Sequence, residues 1–371
     1  MRPLVATIDL SALCHNLQQV RRHAPAPRIF AVVKANAYGH GVHAVVEALK
    51  QHPDCHGFAV ACVEEAIDVR RIAPEARILV LQGGFAADDY QQAARLNLDM
   101  VIQSEAQAAC LLATPLPHPL PIWLKIDSGM HRLGLNCDEV QHWFHRLHGQ
   151  ASVASLNLIS HFACADEPEH PLNQQQRAAF NRLHALPFVA RSLANSAALL
   201  TAPETHFDWL RPGIMLYGAS PFTDRPAAAL GLRPAMTLGG QLMGVRDINP
   251  GESVGYGASW TATHPTRIAT LSCGYADGYP RTAPSGTPVI VDGQRAPLVG
   301  RVSMDMLMVD VSHLPHAQAG TPFELWGKQL PVDEVAAACG TLGYELLSKL
   351  AARVPRYYPR TTAITDTPSN A

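Results

Sequence analysis

The chain has 371 residues, of which 47% are hydrophobic and 16% charged, and its formal net charge is -2. This length permits two or three domains, and the small net charge gives no basic field for nucleic acid or an anionic membrane. No secretory signal is expected, because the N-terminal segment MRPLVATIDLSALCHNL has no long apolar core and no small-residue cleavage site. No membrane span is expected, because no apolar run approaches roughly 18 residues. The eight cysteines are scattered without a C-x-x-C pair, which favours free thiols in a reducing cytoplasm over disulfides or a zinc site.

The first 220 or so residues alternate short apolar runs with helical segments. Most runs are rich in Val, Ile or Leu and lack polar alternation, which is typical of strands buried on both faces. The runs are Arg28–Val33, Gly57–Cys62, Arg77–Leu81, Asp99–Ile102, Ile122–Ile126, Leu156–Ser160, Val189–Ala194 and Gly213–Tyr217. Among the helical signals, Ser104 and Gln107 form a capping box. Eight strands alternating with helices predict an α/β fold, the (β/α)8 TIM barrel.

From about residue 230 the pattern becomes mostly β. The predicted strands are Met236–Ile248, Arg267–Cys273, Thr287–Val299, Met306–Val311 and Thr321–Trp326. Asp292-Gly293 predicts a hairpin turn inside the third of them. One late helix is predicted from Val332 to Ala352, broken at Gly340 or Gly343. We therefore expect a barrel in residues 1–230 and a mostly β C-terminal domain in residues 231–371, with a frayed polar tail after Pro359.

Chemistry in a barrel of parallel strands collects just past the carboxyl end of each strand. The candidates there are Lys34 after the first run, Lys125, Asp127 and Arg132 after the fifth, His161 after the sixth, Asn195 and Ser196 after the seventh, and Arg211, Gly213 and Ile214 entering the eighth. The loops after strands seven and eight often bind phosphate. The Ser196 hydroxyl and the backbone N–H groups near Gly213 suit that task, because glycine permits close approach.

Lys34 ends a buried apolar strand, where an unpaired ammonium is costly. Its position alone leaves two interpretations open. The lysine either pairs with an acid or reaches solvent, or its amine is tuned to form a Schiff base. Phosphate-binding features at the same end of the barrel favour the second, since pyridoxal phosphate needs both an amine and a phosphate site.

Nine segments, in order, resemble motifs of the alanine racemase family. They are AVVKANAYGHG around Lys34, KIDSGMHRLG (125–134), SHFACADE (160–167), ANSAA (194–198), RPGIMLYG (211–218), VGYGASW (254–260), GYADGYPR (274–281), GRVSMDM (300–306) and ARVPR (352–356). Any one of them is weak, but together they cover nearly the whole chain. The resemblance implies a homodimer that interconverts L-alanine and D-alanine with pyridoxal phosphate and supplies D-alanine for peptidoglycan, which agrees with the cytoplasmic location expected from the cysteines.

The resemblance also implies site roles. Lys34 would hold the cofactor as a Schiff base and act as one catalytic base, and Tyr256 of the other subunit would be the second. Cofactor contacts would come from Lys34, Tyr38, Arg132, His161, Asn195, Ser196, Arg211, Gly213, Ile214 and Tyr344. Substrate contacts would come from Arg132, Met304, Tyr275 and Asp305. Lys125 would be carbamylated and orient Arg132.

One position departs from the family pattern. Many members carry a tyrosine that contacts the phosphate just before the RVPR segment, and here that position is Ala352. Tyr344 is the candidate to replace it.

Arg211 would face the pyridine nitrogen. Because arginine stays protonated and gives the ring no proton, it would suppress transamination.

Several of these residues have a structural alternative when they are considered without the family. Tyr256 could lie in a turn between two glycines, His161 could be a core histidine, and Lys125 could be an ion-pair partner. Met304 could pack in the core, and Asn195 could cap a helix.

The alternative functions are a racemase for serine or basic amino acids, a non-catalytic pyridoxal phosphate carrier, and a decarboxylase. A second domain of about 140 residues argues against the carrier, and Arg211 opposite the pyridine nitrogen argues against the decarboxylase.

Overall fold

The computed structural model describes residues 2–359, so the tail after Pro359 lies outside the described residues. These residues form two compact units. The barrel unit comprises residues 12–234 and 331–350, and the sheet unit comprises residues 2–11, 235–330 and 351–359. Two segments therefore cross the boundary predicted at residue 230. Strand β1 (Leu4–Ile8) belongs to the sheet unit, and residues 331–350 belong to the barrel unit.

Within residues 2–359, the barrel unit has eight parallel strands paired side by side in chain order. They are β2 (Arg28–Val32), β3 (Gly57–Val60), β4 (Ile78–Val80), β5 (Asp99–Ile102), β6 (Leu120–Lys125), β7 (Val153–Ile159), β8 (Arg191–Ser192) and β9 (Trp209–Leu210). Strand β9 pairs with β2. The seam between β8 and β9 is bridged by backbone hydrogen bonds, from Arg211 N to Ala194 O and from Asp208 N to Arg191 O, both 3.1 Å. The predicted (β/α)8 barrel is confirmed.

The eighth strand is not where the sequence predicted it. Residues Ile214–Tyr217 form a 3-10 helix, and β9 lies a few residues earlier. A strand of two residues is too short to give a periodic signal. Arg211, Gly213 and Ile214 therefore follow the last strand instead of entering it. They thus lie past a carboxyl strand end, as the other candidates do.

The helices of the barrel unit mostly connect its strands. They are α1 (Leu10–His23), α2 (Lys34–Tyr38), α3 (Val42–Leu49), α4 (Val63–Ile72), α5 (Ala87–Arg95), α6 (Glu105–Ala113), α7 (Cys137–Leu147), α8 (Pro171–Asn181), α9 (Ser196–Thr201), α10 (Val332–Ala338) and α11 (Gly343–Ser348). Ser104 caps α6 as predicted, with its hydroxyl accepting from Gln107 N at 3.3 Å. The predicted break in the last helix is confirmed between α10 and α11. None of the described helices is long and apolar enough to cross a membrane.

Aromatic rings fill the amino end of the barrel. The Phe30 ring stacks on Trp209 with 3.9 Å between centroids. Arg77 lies over the Trp209 ring and donates to Asp99 at 2.7 Å, and the Trp123 indole donates to the same carboxylate at 2.7 Å. Because Arg77, Asp99 and Trp209 stand at or just before the starts of their strands, this cluster leaves the carboxyl ends as the open end of the barrel.

The sheet unit is mostly antiparallel, which confirms the predicted β domain. Besides β1, its strands are β10 (Met236–Ile248), β11 (Thr266–Leu271), β12 (Pro288–Val291), β13 (Gln294–Pro297), β14 (Leu307–Asp310), β15 (Pro322–Trp326) and β16 (Arg356–Tyr357). Strand β1 pairs along its whole length with β10, from Leu4 opposite Gly240 to Ile8 opposite Met236. The predicted hairpin turn joins β12 to β13, and both Asp292 and Gly293 have positive φ, as a type I′ turn requires.

Candidate active site

A cavity of about 520 Å³ opens at the carboxyl ends of the barrel strands, a size typical of small-molecule sites. The sequence-predicted residues that line it are Lys34, Tyr38, Lys125, Arg132, His161, Asn195, Ser196, Arg211, Gly213, Ile214 and Tyr344. Residues not singled out from the sequence complete the lining, and they are Val32, Ala35, Ala61, Leu81, Gln82, Leu133, Ile159, Ser160 and Ser348. Most of these additional residues are near a strand end, which is the signal that would have found them.

Lys34 and Tyr38 stand at the two ends of α2, which is a left-handed turn. Ala35, Asn36, Ala37 and Tyr38 all have φ between 51° and 54°. Left-handed backbone costs a residue with a Cβ roughly 1–2 kcal/mol, so four in succession must be held by their surroundings. Part of that support comes from the start of α3, because Asn36 Oδ1 accepts from Val42 N at 2.8 Å. The turn brings both of its end residues to the same cavity.

Two hydroxyl groups converge on Gly213. Its backbone N–H donates to Ser196 Oγ at 2.9 Å. A Cβ at this position would lie 2.5 Å from the Tyr38 hydroxyl, so only glycine fits without displacing it. Burial raises the pKa of Tyr38, which keeps that hydroxyl protonated as a donor. The hydroxyl groups of Ser196 and Tyr38 therefore lie beside the backbone of Gly213, which carries no side chain. We call this arrangement the cradle.

Tyr344 belongs to the same cavity. It stands in α11 of the barrel unit, and its ring centroid lies 6.1 Å from that of Tyr38. Ala352, by contrast, lies in the sheet unit. A phenol is therefore present beside the cradle, supplied from α11.

Asn195 caps a helix and also lines the cavity. Its side chain caps α9, with Oδ1 accepting from Ala198 N at 3.0 Å, so the helix-cap interpretation is correct. The residue also lines the cavity. Capping fixes the first turn of α9 and with it the position of Ser196.

The cavity is surrounded by cationic groups. Arg211 is buried and donates to Ser192 Oγ and to the backbone oxygens of Ser160 and Leu193. Burial lowers the pKa of Arg211 to about 9, which leaves it charged at neutral pH. Burial, together with the charges of Arg211 and Arg132, lowers the pKa of Lys125 to about 8. Such a field favours an anionic ligand.

The same charges act on Lys34 and His161. Burial and the Arg132 charge lower the pKa of Lys34, and the Glu65 carboxylate opposes them. Burial and the Arg211 charge hold the pKa of His161 well below its usual range, so its imidazole is neutral at physiological pH. The site therefore combines a lysine amine that loses its proton more readily than usual with a neutral histidine.

Asp127 does not serve as an ion-pair partner for Lys125. Its Oδ1 accepts from the backbone N–H groups of Gly129 and His131, both at 3.0 Å, and Oδ2 lies 3.2 Å from the His131 ring. The carboxylate thus shapes the loop after β6, which also carries Arg132. The structure gives Lys125 no carboxylate partner among the described residues.

Tyr256 lies in the sheet unit and begins a short 3-10 helix, Tyr256–Ala258, between β10 and β11. Gly255 and Gly257 on either side of it both have φ of 74°, a conformation that explains the paired glycines. The Tyr256 side chain is 73% exposed. Met304 in the same unit is 52% exposed, so the alternative that it packs in the core is wrong.

Asp277 organises the loops that carry the other sheet-unit candidates, and the sequence did not single it out. Its carboxylate is completely buried and accepts from Arg2, from Arg353 Nε at 2.8 Å and from Gly274 N at 2.9 Å. Burial alone would raise its pKa, but these hydrogen bonds and charges hold the pKa below its usual value. Arg353 also donates to Asp305 at 2.6 Å.

Backbone hydrogen bonds complete this arrangement. Tyr275 N donates to Ser303 O and Ala276 N donates to Met304 O, both at 3.0 Å. The loops that carry Tyr275, Met304 and Asp305 therefore lie together within the sheet unit. Asp277 lies in the GYADGYPR segment and Arg353 in ARVPR, so these two motifs contained the signal.

Comparison with known proteins agrees with this geometry over nearly the whole chain. The family models described as alanine racemase N-terminal domain and C-terminal domain match residues 8–221 and 235–358. A biosynthetic alanine racemase from Pseudomonas aeruginosa is 62% identical over 358 residues, which cover 96% of this chain and 99% of that protein.

Solved structures give the same result. The crystal structure of biosynthetic alanine racemase from Pseudomonas aeruginosa matches with a TM-score of 0.95 at 62% identity, covering 97% of this chain and 100% of that one. Alanine racemase from Bartonella henselae, solved with covalently bound pyridoxal phosphate, matches with a TM-score of 0.87 at 31% identity, covering 97% and 100%.

Proposed function

The chain belongs to the alanine racemase family, and from this premise we propose that it interconverts L-alanine and D-alanine with pyridoxal phosphate bound at Lys34, supplying D-alanine for peptidoglycan. The observation that carries the proposal is one cavity that combines the Lys34 amine, the cradle at Gly213 and surrounding cations. When bound, the cofactor supplies an electron sink for the carbanion left by loss of the α-proton.

The residues present fit that cofactor. Tyr38, Ser196 and Tyr344 offer hydroxyl groups to a phosphate, and the backbone of Gly213 and Ile214 lines the same place, with the Gly213 N–H holding the Ser196 hydroxyl. The space that a Cβ on Gly213 would fill supports this assignment. Arg211 would hold the pyridine nitrogen of the cofactor and is a cation at neutral pH. Arg132, His161 and Asn195 would complete the contacts.

Racemisation removes the α-proton from one face of the substrate and returns a proton to the other. Two bases on opposite faces do this without either crossing the plane, and we assign them to Lys34 and Tyr256. The reference pKa values of lysine and tyrosine are close, about 10.4 and about 10, which suits a reaction that runs in both directions. Burial and the Arg132 charge lower the pKa of Lys34 and so raise its neutral, proton-accepting fraction near working pH.

Tyr256 is proposed to act on the substrate bound by a second copy of the chain. Its ring is 73% exposed within one chain and is therefore available to a partner. The working unit would then be a homodimer with shared active sites. The barrel unit would supply the cofactor site, including Tyr344, and the sheet unit would supply the second base, together with Met304, Tyr275 and Asp305 for the substrate.

Lys125 is proposed to carry a carbamate. Its pKa of about 8 leaves part of the amine neutral, and the neutral nitrogen can bond to the carbon of carbon dioxide and release one proton to solvent. The product is an anion among the cations Arg211 and Arg132, where it would orient Arg132 toward the substrate. The added negative charge would relieve the repulsion among these cations.

Absorbance and isotope exchange test the function together. The purified protein should show the absorbance band of pyridoxal phosphate bound to a lysine, and it should exchange the α-proton of either alanine enantiomer in heavy water. A band without exchange would favour the carrier. Comparable kcat/KM for L-alanine and L-lysine, in a panel with L-serine and L-arginine, would contradict the assignment to alanine. The cytoplasmic location stays a prediction.

A further inference from the structure

The left-handed turn α2 has a support from outside its own segment. Glu65 Oε1 accepts from Ala35 N at 2.7 Å, and Glu65 Oε2 accepts from Ala61 N at 2.8 Å. Ala35 follows Lys34 at the exit of β2, and Ala61 is the first residue after β3. One carboxylate thus joins the exits of two neighbouring parallel strands at the rim of the cavity.

This arrangement differs from ordinary helix capping. A glutamate at the third position of a helix usually accepts from the backbone N–H of the residue that precedes the helix, which for α4 is Cys62. Here one oxygen of Glu65 reaches a residue further back, to Ala61, and the other leaves the helix for a different strand exit. Stability of α4 alone does not require the second contact.

The contact with Ala35 fixes the start of the turn. Gly39 fixes its end, because a Cβ there would lie 2.0 Å from the backbone oxygen of Leu347. Between these two points four residues hold the left-handed conformation. Since Ala35 is bonded directly to Lys34, anchoring its N–H sets the direction in which the Lys34 side chain leaves the backbone.

Glu65 also supplies the acidic charge that acts on Lys34. The cationic groups of the cavity are Arg132 and Lys125 from the segment at and after β6, and Arg211 after β9, while His161 after β7 is neutral. Arg132 and burial favour the neutral amine, and Glu65 favours the ammonium. Tyr38, at the other end of the turn, is a neutral phenol because burial raises its pKa.

We propose that Glu65 is a positioning residue for Lys34, which fixes by its two backbone contacts where the lysine enters the cavity and which places a negative charge close to the amine. The proposal rests on the proposed function only for the role of Lys34 as a base. The geometry itself can be tested in protein that holds no cofactor.

The test compares Glu65→Gln with Glu64→Gln, a neighbour on the same helix turn that is exposed. In the full chain freed of cofactor, the reaction of Lys34 with an amine-reactive reagent is followed against pH by peptide mass spectrometry. Hydrogen exchange is followed in the segment that contains Ala35. Glu65→Gln should lower the midpoint pH of Lys34 and speed exchange, whereas Glu64→Gln should change neither. In the loaded enzyme kcat should fall roughly 10- to 100-fold, with a smaller change in KM for alanine.

Glu65→Asp separates position from charge. It keeps the negative charge but is one methylene too short to reach both N–H groups, so exchange should rise while the Lys34 midpoint stays closer to that of the wild type. This variant decides the question if Glu65→Gln does not fold. Unchanged midpoint and exchange in the folded Glu65 variants, or equal effects in Glu64→Gln, would overturn the proposal. Wild-type protein whose Lys34 titrates but which does not racemise alanine would instead contradict the proposed function.

Discussion

The Tyr38 hydroxyl lies 2.5 Å from the point where a Cβ would stand on Gly213. The two residues are far apart in sequence, one following the first barrel strand and the other the last. Their approach is possible because strands β2 and β9 are neighbours that close the barrel. Closure of the barrel thus creates the cradle that we assign to the phosphate.

Gly213→Ala should therefore weaken cofactor binding. The added methyl group forces the Tyr38 hydroxyl away from the backbone, and overpacking of this kind typically costs about 1–3 kcal/mol. We expect pyridoxal phosphate to bind about tenfold more weakly or worse, as measured by titration of cofactor-free protein. Gly244→Ala is the matched control, since a Cβ there meets nothing within 4 Å. Equal affinity in the two variants would exclude the cradle as the phosphate site.

The two proposed bases should be separable by mutation. Lys34→Ala should lose both the absorbance band of bound cofactor and turnover, because the attachment point and one base are removed together. Tyr256→Phe should lose most of the activity in both directions, because the hydroxyl that we assign as the second base is removed. It should keep the band, because the side chain is exposed and loss of its hydroxyl disturbs no core packing. Racemisation at the wild-type rate by Tyr256→Phe would show that the second base is another residue.

Much of the fold and site could be predicted from the sequence because each buried strand can be recognised from its own residues alone. Strands buried on both faces give continuous apolar runs, and the barrel then brings their carboxyl ends together without further information. Lys34, His161 and Ser196 were found in this way. Tyr344 was found only through the family pattern, because no local signal connects the late helix α11 to the barrel.

The features missed depend on contacts between distant segments. Strand β9 has two residues, and its pairing with β2 cannot be read from its own sequence. Strand β1 joins the sheet unit by pairing with β10, more than 200 residues later. Glu65 and Asp277 look like ordinary helix and loop acids, and their importance appears only when the groups that donate to them are identified.

Lys125 should form a carbamate that can be observed directly. With isotope-labelled bicarbonate, carbon NMR of the wild type should show a carbamate signal that is absent from Lys125→Ala and retained in Lys50→Ala. At constant dissolved carbon dioxide the signal should grow as pH rises through about 8, since the neutral fraction of the amine grows there. If no signal appears between neutral and mildly alkaline pH, the proposed carbamate is wrong.

Asp277→Asn should reduce both stability and turnover. The variant leaves Arg2 and Arg353 without their buried acceptor charge, and an unsatisfied buried group costs roughly 1–3 kcal/mol in free energy of unfolding at neutral pH. The turnover number should fall because the loops of Tyr275 and Met304 lose their common anchor. Asp247→Asn, which alters an exposed ion pair with Arg267 in the same unit, should change the free energy of unfolding by less than about 0.5 kcal/mol.

The pH dependence of the Asp277 effect has a definite sign. Its pKa is lowered in the folded protein, so the stability contributed by the ionised carboxylate is fully present above the unfolded value of about 3.9. That contribution is lost as pH falls through the lower, folded pKa. Urea unfolding should therefore show a constant difference between wild type and Asp277→Asn from neutral pH down to about pH 4–5, and a shrinking difference below it. If the difference in free energy of unfolding between wild type and Asp277→Asn stays unchanged in stronger acid, the ionised carboxylate is not the stabilising group. The loss would then come from the changed shape and hydrogen bonding of the side chain.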